Sequence, residues 1–326
     1  MLNLNQLRAF YHVAKSLSFS AAAEDLFVTQ PAVTRQIKLF QEFCKLKLFK
    51  RRKGKLYLTD EGRKVLVYAS RIFELETQLE EAISGLQNQK QGSLRIGTTK
   101  TYAKYFMPRH LAPFQKSFPD VIIELDEGSS LSMTESLLDF RNSLAIVAKV
   151  LDNPDISFQP LMLEEVVLIA SPKHRLARKG PIGLQSLVGE HVVIKEYGSG
   201  TRKLIERFAH DENIGFNVIA QTSNMDFIKQ LVKNQQAISF VVRSSVEAEL
   251  AAGELVEIPI KTRELMLEIY VASLRGYELP IAAKAFKEYL LSFVDPNNLS
   301  RGMAHFQIPF HRRDVVRGTN NRDRAA

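Results

Sequence analysis

The stretch VTQPAVTRQIKLF, residues 28–40, places Val33, Ile37 and Phe40 at helical spacing and leaves Gln30, Thr34, Arg35 and Lys38 on the opposite side. Amide, hydroxyl and guanidinium groups on successive turns are the groups that hydrogen-bond base edges, with a lysine suited to a phosphate. The chemistry this face offers is recognition of a duplex groove rather than bond breaking. Two other clusters invite a different chemistry. Thr98, Thr99 and Thr101 in GTTKTYAKY, and Ser199 and Thr201 in EYGSGTRKLIERF, stand between a strand pattern and a helix pattern. There, hydroxyls and free backbone amides converge in a way that suits a small carboxylate or inorganic oxyanion. Serine and threonine at helix starts are also ordinary caps, and Asn224, ahead of a later helix, has the same two readings of cap or cleft-lining group.

Each cluster needs elements to hold it. Ala21 to Leu26 read as one short helix, Phe27 to Thr29 as a turn, and Gln30 onward as a second helix whose free first-turn amide is taken by the Thr29 hydroxyl. Pro31 is harmless there, because first-turn amides lack intrahelical partners. Small Ala23 lets the two helices cross closely, while Leu26, Val28, Val33 and Ile37 supply a shared core. In LFKRRKGKLYLT, Gly54 sits between two strand-like stretches and reads as a hairpin tip, with Arg52, Lys53 and Lys55 around it. From Asp60 to Asn88 there is no proline, and Val65, Tyr68, Ile72, Leu75, Leu79, Ala82 and Leu86 recur at spacings of three and four. A helix of that length runs roughly 40–45 Å, too long for its own small domain to bury. It calls for a partner helix, most simply from a second copy of the chain; an amphipathic helix lying on its own body is the alternative.

Beyond QKQGSLRIGTT, a linker followed by a strand, the pattern alternates. Strand candidates are 93–97, 121–127, 143–147, 165–171, 191–196, 218–222, 237–242 and 267–272, with helices at 104–117, 131–140, 200–213, 224–234, 243–252 and 280–293 between them. Such βα units imply parallel-type sheets covered on both faces, long enough here for two lobes with ligands bound at strand ends. The tail from Asp295 is rich in Asn, Arg and Gly and reads as disordered.

Charge follows the same division. The 326-residue chain carries a net +8, and residues 1–58 alone hold eleven Lys and Arg against three acids. The tail 297–326 adds six basic and two acidic residues, which leaves the middle near neutral. A basic head on a neutral body points to a polyanion-binding module joined to something else. A single cysteine, Cys44, excludes an internal disulfide or multi-cysteine metal site. With no apolar run of about 18 residues or signal-like start, the expectation is a cytoplasmic protein without a membrane span. No Walker loop, H-E-x-x-H or nucleophile elbow is present, and only His305 and His311 approach metal-ligand spacing, so the reading carries no catalytic residue, metal or cofactor.

With the residues assembled, LRAFYHVAKSLSFSAAAEDLFVTQPAVTRQI and LFKRRKGKLYLTDEGRKVL resemble the DNA-binding signature of LysR-type transcriptional regulators, and SLRIGTT with MPRHLAPFQKSFPDV resembles the start of their effector-binding domain. The resemblance runs along nearly all of residues 1–295. It implies an α/β protein with a winged helix-turn-helix at 1–59, a dimerising coiled-coil helix at 60–90 and a two-lobed effector domain at 91–295. Lobe one is 92–163 plus 266–295, lobe two 164–265, and the basic tail 296–326. It further implies DNA contacts from Thr29, Gln30, Pro31, Thr34, Arg35, Lys38, Arg52, Lys53 and Lys55, and effector contacts from Thr98, Thr99, Thr101, Ser199, Thr201 and Asn224. Partners would be double-stranded promoter DNA, a small-molecule effector, the chain itself as dimer or tetramer, and RNA polymerase as a further candidate. Departures stand beside the match. Lys45 replaces the usual Gly after the recognition helix, at a modest left-handed cost, and Gly54 occupies the place of a common wing Arg. Cys44 replaces a Leu and reads as a small hydrophobe, and Gln235 to Ala237 stand where Gly-x-Gly is common. TTKTYAKY is also similar to the cysteine-biosynthesis branch, although Ala148 replaces the polar residue of that branch. An α/β enzyme with a fused DNA-binding head and a non-sensory architectural DNA protein are the alternative functions.

Overall fold

The computed structural model describes residues 1–52, 54–86, 92–261 and 265–294. Lys53 and the tail 296–326 lie outside the described residues, as do the side chains of Ala82 and Leu86. The chain divides into two compact units, 1–89 and 90–326.

In the first unit α1 (Leu4–Ser16), α2 (Phe19–Asp25) and α3 (Gln30–Cys44) pack around Phe10, Val13, Ala22, Ala23, Val33, Ile37 and Phe40, all buried. The Phe10 ring lies 5.5 Å from both Phe40 and Phe49, so one aromatic ties three elements together. Strands β1 (Phe49–Arg52) and β2 (Lys55–Leu58) form the expected hairpin, closed by the pair Arg52 and Lys55 with Gly54 at its tip. Ser18 caps α2 at the amide of Ala21, which starts that helix two residues earlier than the sequence suggests.

Two details of the helix-turn-helix correct the sequence reading. Thr29 is the N-cap of α3 but makes no side-chain cap bond. The second helical position is Pro31, so one of the two amides such a hydroxyl ordinarily takes does not exist. Val28 is 49% exposed rather than core, because Phe27, at φ +54, turns the chain outward before α3 begins.

The 27-residue α4 (Asp60–Leu86) is anchored at its start by Thr59, whose hydroxyl donates to the Lys47 carbonyl at 2.7 Å and accepts the Gly62 amide at 2.9 Å. Further along, Arg8 makes two bonds to Glu76, 2.9 and 2.6 Å. That pairing lowers the Glu76 carboxyl and raises the guanidinium. The apolar stripe of α4 is divided. Val65 and Ile72 pack on the unit's own core because one side of the helix lies against α1, as Tyr11 against Phe73 shows, whereas Tyr68, Leu75 and Leu79 are exposed, joined by Ile83.

The second unit has mixed rather than parallel sheets. β3 (Ser93–Thr99) runs parallel to β4 (Ile122–Gly128) and β5 (Leu144–Ala148). β11 (Met266–Leu274) returns antiparallel between β5 and β6 (Ile156–Ala170). β6 belongs to both lobes: it pairs with β11 through Glu165, then from Val166 with β9 (Ser239–Val242), and at its end with β10 (Val256–Glu257). β7 (His191–Lys195) and β8 (Asn217–Thr222) pair in parallel and join β9 through a bridge from Val192 to Ile238. The covering helices are α5 (Lys100–Tyr105), α6 (Met107–Ser117), α7 (Ser130–Leu138), α8 (Gly200–Asp211), α9 (Met225–Lys233), α10 (Glu247–Ala251) and α11 (Ile281–Leu291).

His110 of α6 is buried among aromatics, its ring centroid 4.2 Å from Phe106, and burial assisted by Arg109 lowers its pKa from 6.5 to about 4. Below pH 6.5 the unfolded chain takes up a proton that the native imidazole refuses, so stability falls as pH drops toward 4 and levels off beneath it. Denaturant unfolding at pH 7 and pH 4.5 should therefore show the native protein losing about 2 kcal/mol more than a His110→Leu variant. Equal losses would contradict the buried neutral imidazole.

Candidate nucleic-acid interface and ligand cleft

The outer face of α3 is as the helical spacing requires: Gln30, Pro31, Thr34, Arg35 and Lys38 are all exposed. Gln30 is steadied from α2, its Oε1 accepting from the Ser20 hydroxyl at 3.2 Å, which leaves the amide N–H groups pointing to other partners. The Thr34 hydroxyl donates to the Gln30 carbonyl at 3.0 Å and retains acceptor capacity. Arg35 has no ion-pair partner among the described residues, and Lys38 meets only Glu42, at 4.0 Å. At the hairpin Lys50, Arg51, Arg52 and Lys55 are exposed as well. Lys45 closes α3 in the left-handed region at φ +55, its amide reaching back to Glu42. Cys44 is half-buried and burial raises its thiol pKa, so it packs rather than reacts.

In the second unit the two hydroxyl clusters meet. Thr99, Thr101, Ser199 and Thr201 line one narrow cleft of about 30 Å³, together with Ser130, Ala148, Lys100, Lys195 and Glu196. Thr99 caps α5, Ser199 caps α8, and Ser129 caps α7 beside the lining Ser130. Three helix starts thus aim their free amides and positive dipole ends at one volume. Tyr102 also lines the cleft, and its fully buried hydroxyl has no hydrogen-bond partner among the described residues. Burial, with Glu164 nearby, pushes that phenol upward, so it remains a donor. The Lys195 ammonium donates to the Ser223 carbonyl at 3.0 Å and lies 3.8 Å from Glu196. Burial lowers its pKa, Glu196 opposes that, and Lys100 adds to it.

The loop carrying Ser199 docks against the other lobe through two glycines. Gly198, at φ +82, accepts the Leu131 amide at 3.0 Å, and a Cβ there would stand 2.7 Å from that of Leu131. A Cβ on Gly200 would stand 2.3 Å from that of Ala148. On one flank α5 is strapped to the start of α9: Lys100 to the Ser223 hydroxyl at 3.1 Å, Lys104 to Asp226 at 3.3 Å, and Lys229 to the Tyr105 hydroxyl at 3.1 Å.

Two expected cleft residues are elsewhere. Thr98 is wholly buried and its hydroxyl donates to the Ile146 carbonyl at 2.9 Å, because alternation along β3 turns it inward when Thr99 faces the cleft. Asn224 is exposed, caps α9 by accepting the Phe227 amide at 3.0 Å, and does not line the cleft. Ser130, Tyr102, Lys195 and Glu196 were not singled out from sequence. Only the first had a signal, the Ser-Ser pair that opens a helical pattern.

A family model described as "Bacterial regulatory helix-turn-helix protein, lysR family" matches residues 4–63, and one described as "LysR substrate binding domain" matches 87–295. The chain belongs to the LysR family. It is a LysR-type transcriptional regulator, with a DNA-binding helix-turn-helix and an effector-binding domain. The transcriptional activator CmpR of Synechocystis sp. is 33% identical over 89% of this chain and 95% of its own length. Among solved structures, the CcmR regulatory domain of Synechocystis PCC6803 in complex with 2-PG is 28% identical and covers 64% of this chain and all of its own, with a TM-score of 0.59. A full-length OxyR variant from Pseudomonas aeruginosa shares the fold at 19% identity and TM-score 0.70, over 89% of this chain and 95% of its own. Among the described residues of this regulator no helix is long and apolar enough to cross a membrane, and no His, Cys, Asp and Glu group is arranged to hold a metal.

The regulator's lobes touch where Gly200 meets Ala148, so Gly200→Ala should force them apart and cost about 1–3 kcal/mol. Thermal denaturation of the variant checks this, and an unchanged transition would contradict the close approach.

Proposed function

We propose that this LysR-type regulator reads promoter DNA through α3 and answers to a small anion held in its cleft. Gln30, Thr34 and Arg35 carry base-edge contacts; Lys38, Arg52, Lys53 and Lys55 carry phosphates; Thr29 and Pro31 set the start of the helix against the backbone. Tyr68, Leu75 and Leu79 on the exposed face of α4 join two copies, which fixes the separation of the two recognition helices and hence of the half-sites. The observation that carries the effector reading is the convergence of three helix starts on one cleft shared between lobes. Thr99, Thr101, Ser199 and Thr201 supply hydroxyls, the first-turn amides supply further donors, and Lys100 and Lys195 supply charge. The likeness to a regulatory domain solved with 2-PG supports a ligand of that small size. Binding that favours one closure of the lobes alters how body domains pack in a dimer or tetramer, and so the bend imposed on DNA.

Footprinting of the bound protein across its genome identifies the promoters, and neighbouring genes then nominate anions for calorimetry. Arg35→Ala should weaken the specific site by about 1–3 kcal/mol while dimerisation is unchanged. Loss of affinity equal on operator and random DNA would remove Arg35 from base readout. In sedimentation, Leu75→Asp combined with Leu79→Asp should yield monomers that bind DNA poorly; an unaltered sedimentation coefficient would exclude the α4 seam.

A further inference from the structure

A second opening lies within the second lobe, between α8 and the strands β7, β8 and β9. Its volume is about 630 Å³, within the range that encloses drug-sized ligands. The floor is apolar and buried, made by Ile205, Ala209 and Phe240. Phe216 and Val218 extend the same surface toward the mouth. A helix ordinarily closes on its sheet, since every open ångström forfeits packing; here the Ile214–Phe216 turn after α8 and the outer edge of β8 leave room instead.

Lys195, Arg202 and Glu206 lie at the end where α8 begins, and His210 and Asn213 at the end where it stops. The Lys195 ammonium is engaged at the Ser223 carbonyl, which leaves Arg202 as the other cation of the lining. Arg202 gives its Nε to Glu206 at 2.6 Å and one terminal nitrogen to Gln221 at 2.7 Å. Of its five N–H donors, those on the remaining terminal nitrogen are uncommitted among the described residues. An apolar floor with a guanidinium at one end fits a molecule of matching polarity.

We infer that this pocket is a second ligand site, for an apolar molecule carrying one anionic head met by Arg202. It is separate from the cleft but shares Lys195 and Thr201 with it as a common wall. An occupant that shifts the first turn of α8 changes the donors available to the cleft, and linkage makes the influence mutual. The pocket can fill while the cleft is empty, so its occupation is testable without the cleft's ligand.

The test uses the full chain and two dyes with the same aromatic body, anilinonaphthalene sulfonate and its uncharged counterpart phenylnaphthylamine. The sulfonate should bind saturably at one per chain. Val218→Trp, which adds bulk at the exposed mouth, should weaken it at least tenfold. Gly215→Trp provides an independent plug, since an added Cβ there meets nothing within 4 Å. Arg202→Gln should weaken the sulfonate several-fold and leave phenylnaphthylamine unchanged. Thr99→Val, a change confined to the cleft, should leave dye binding intact. The proposal is overturned by any of four results: no saturable binding, indifference to both tryptophan plugs, loss of the dye in the cleft variant alone, or equal response of the two dyes to Arg202→Gln. Should either plug fail to fold, the Arg202→Gln comparison still decides.

Discussion

Two helix starts face each other across a cleft only if the chain brings two lobes into van der Waals contact at that spot, and here the contact is Gly200 against Ala148. Any side chain at residue 200 would prop the lobes open. Any larger residue at the end of β5 would do the same from the other side. The strand β6 makes the approach possible: its first part belongs to one sheet and its last residues to the other, so the lobes share a rigid hydrogen-bonded spine instead of a loose linker. With the spine fixing one side and the lysine strap from α5 to α9 the other, the amides of α5, α7 and α8 are held in register. Pre-organised donors cost little further ordering when an anion arrives.

The division of charge has a physical reading once partners are counted. In the second unit several of the cations are engaged. Arg243 lies between Glu165 and Glu257, Lys229 pairs with Glu249, Lys233 with Glu254, Arg175 with Glu190 and Arg141 with Asp126. In the first unit Arg35, Lys50, Arg51, Arg52 and Lys55 have no acidic partner among the described residues. An unpaired exposed cation remains free to displace counterions from a phosphate backbone, whereas a paired one must first break its own bridge. The same residue types are thus tied into bridges at these sites of the body and available in the head, and net charge alone does not distinguish the two.

How much of this was legible in the sequence depends on how local each cause is. The polar face of α3 needs nothing but helical period, and it stands as read. The caps at Thr99 and Ser199 are also local, and because both open helices at strand ends they meet in the cleft. Thr98 failed because three neighbouring threonines were grouped by composition, while strand alternation sends one of them inward. Asn224 failed because a cap and a cleft residue have the same sequence pattern, and only distance separates them. The long β6 was half missed. The strand candidate begins at 165, whereas β6 starts at Ile156 and carries Pro160 where Leu161 forms an extra residue opposite Ile269 and Tyr270, the kind of bulge at which a strand tolerates proline. The antiparallel return of β11 depends on pairing across more than a hundred residues, which no local period encodes.

The cleft also contains a conflict that the proposed anion would resolve. Lys195 is buried enough to lower its pKa, and Lys100 lowers it further. Both reach the same residue from opposite lobes, Lys100 at the Ser223 hydroxyl and Lys195 at the Ser223 carbonyl. Two ammonium groups drawn to one small residue repel each other, and Glu196 at 3.8 Å from Lys195 compensates only in part. A proposed anion seated between them attracts both and converts a repulsion across the lobes into a bridge between them. Binding then favours the closed arrangement over any more open one by the difference in that electrostatic term, and only such a difference lets a ligand shift a conformational equilibrium. A neutral molecule of equal size would fill the same space and leave the repulsion in place. On this reading the selectivity for charge and the signal sent to the rest of the regulator arise from the same pair of lysines.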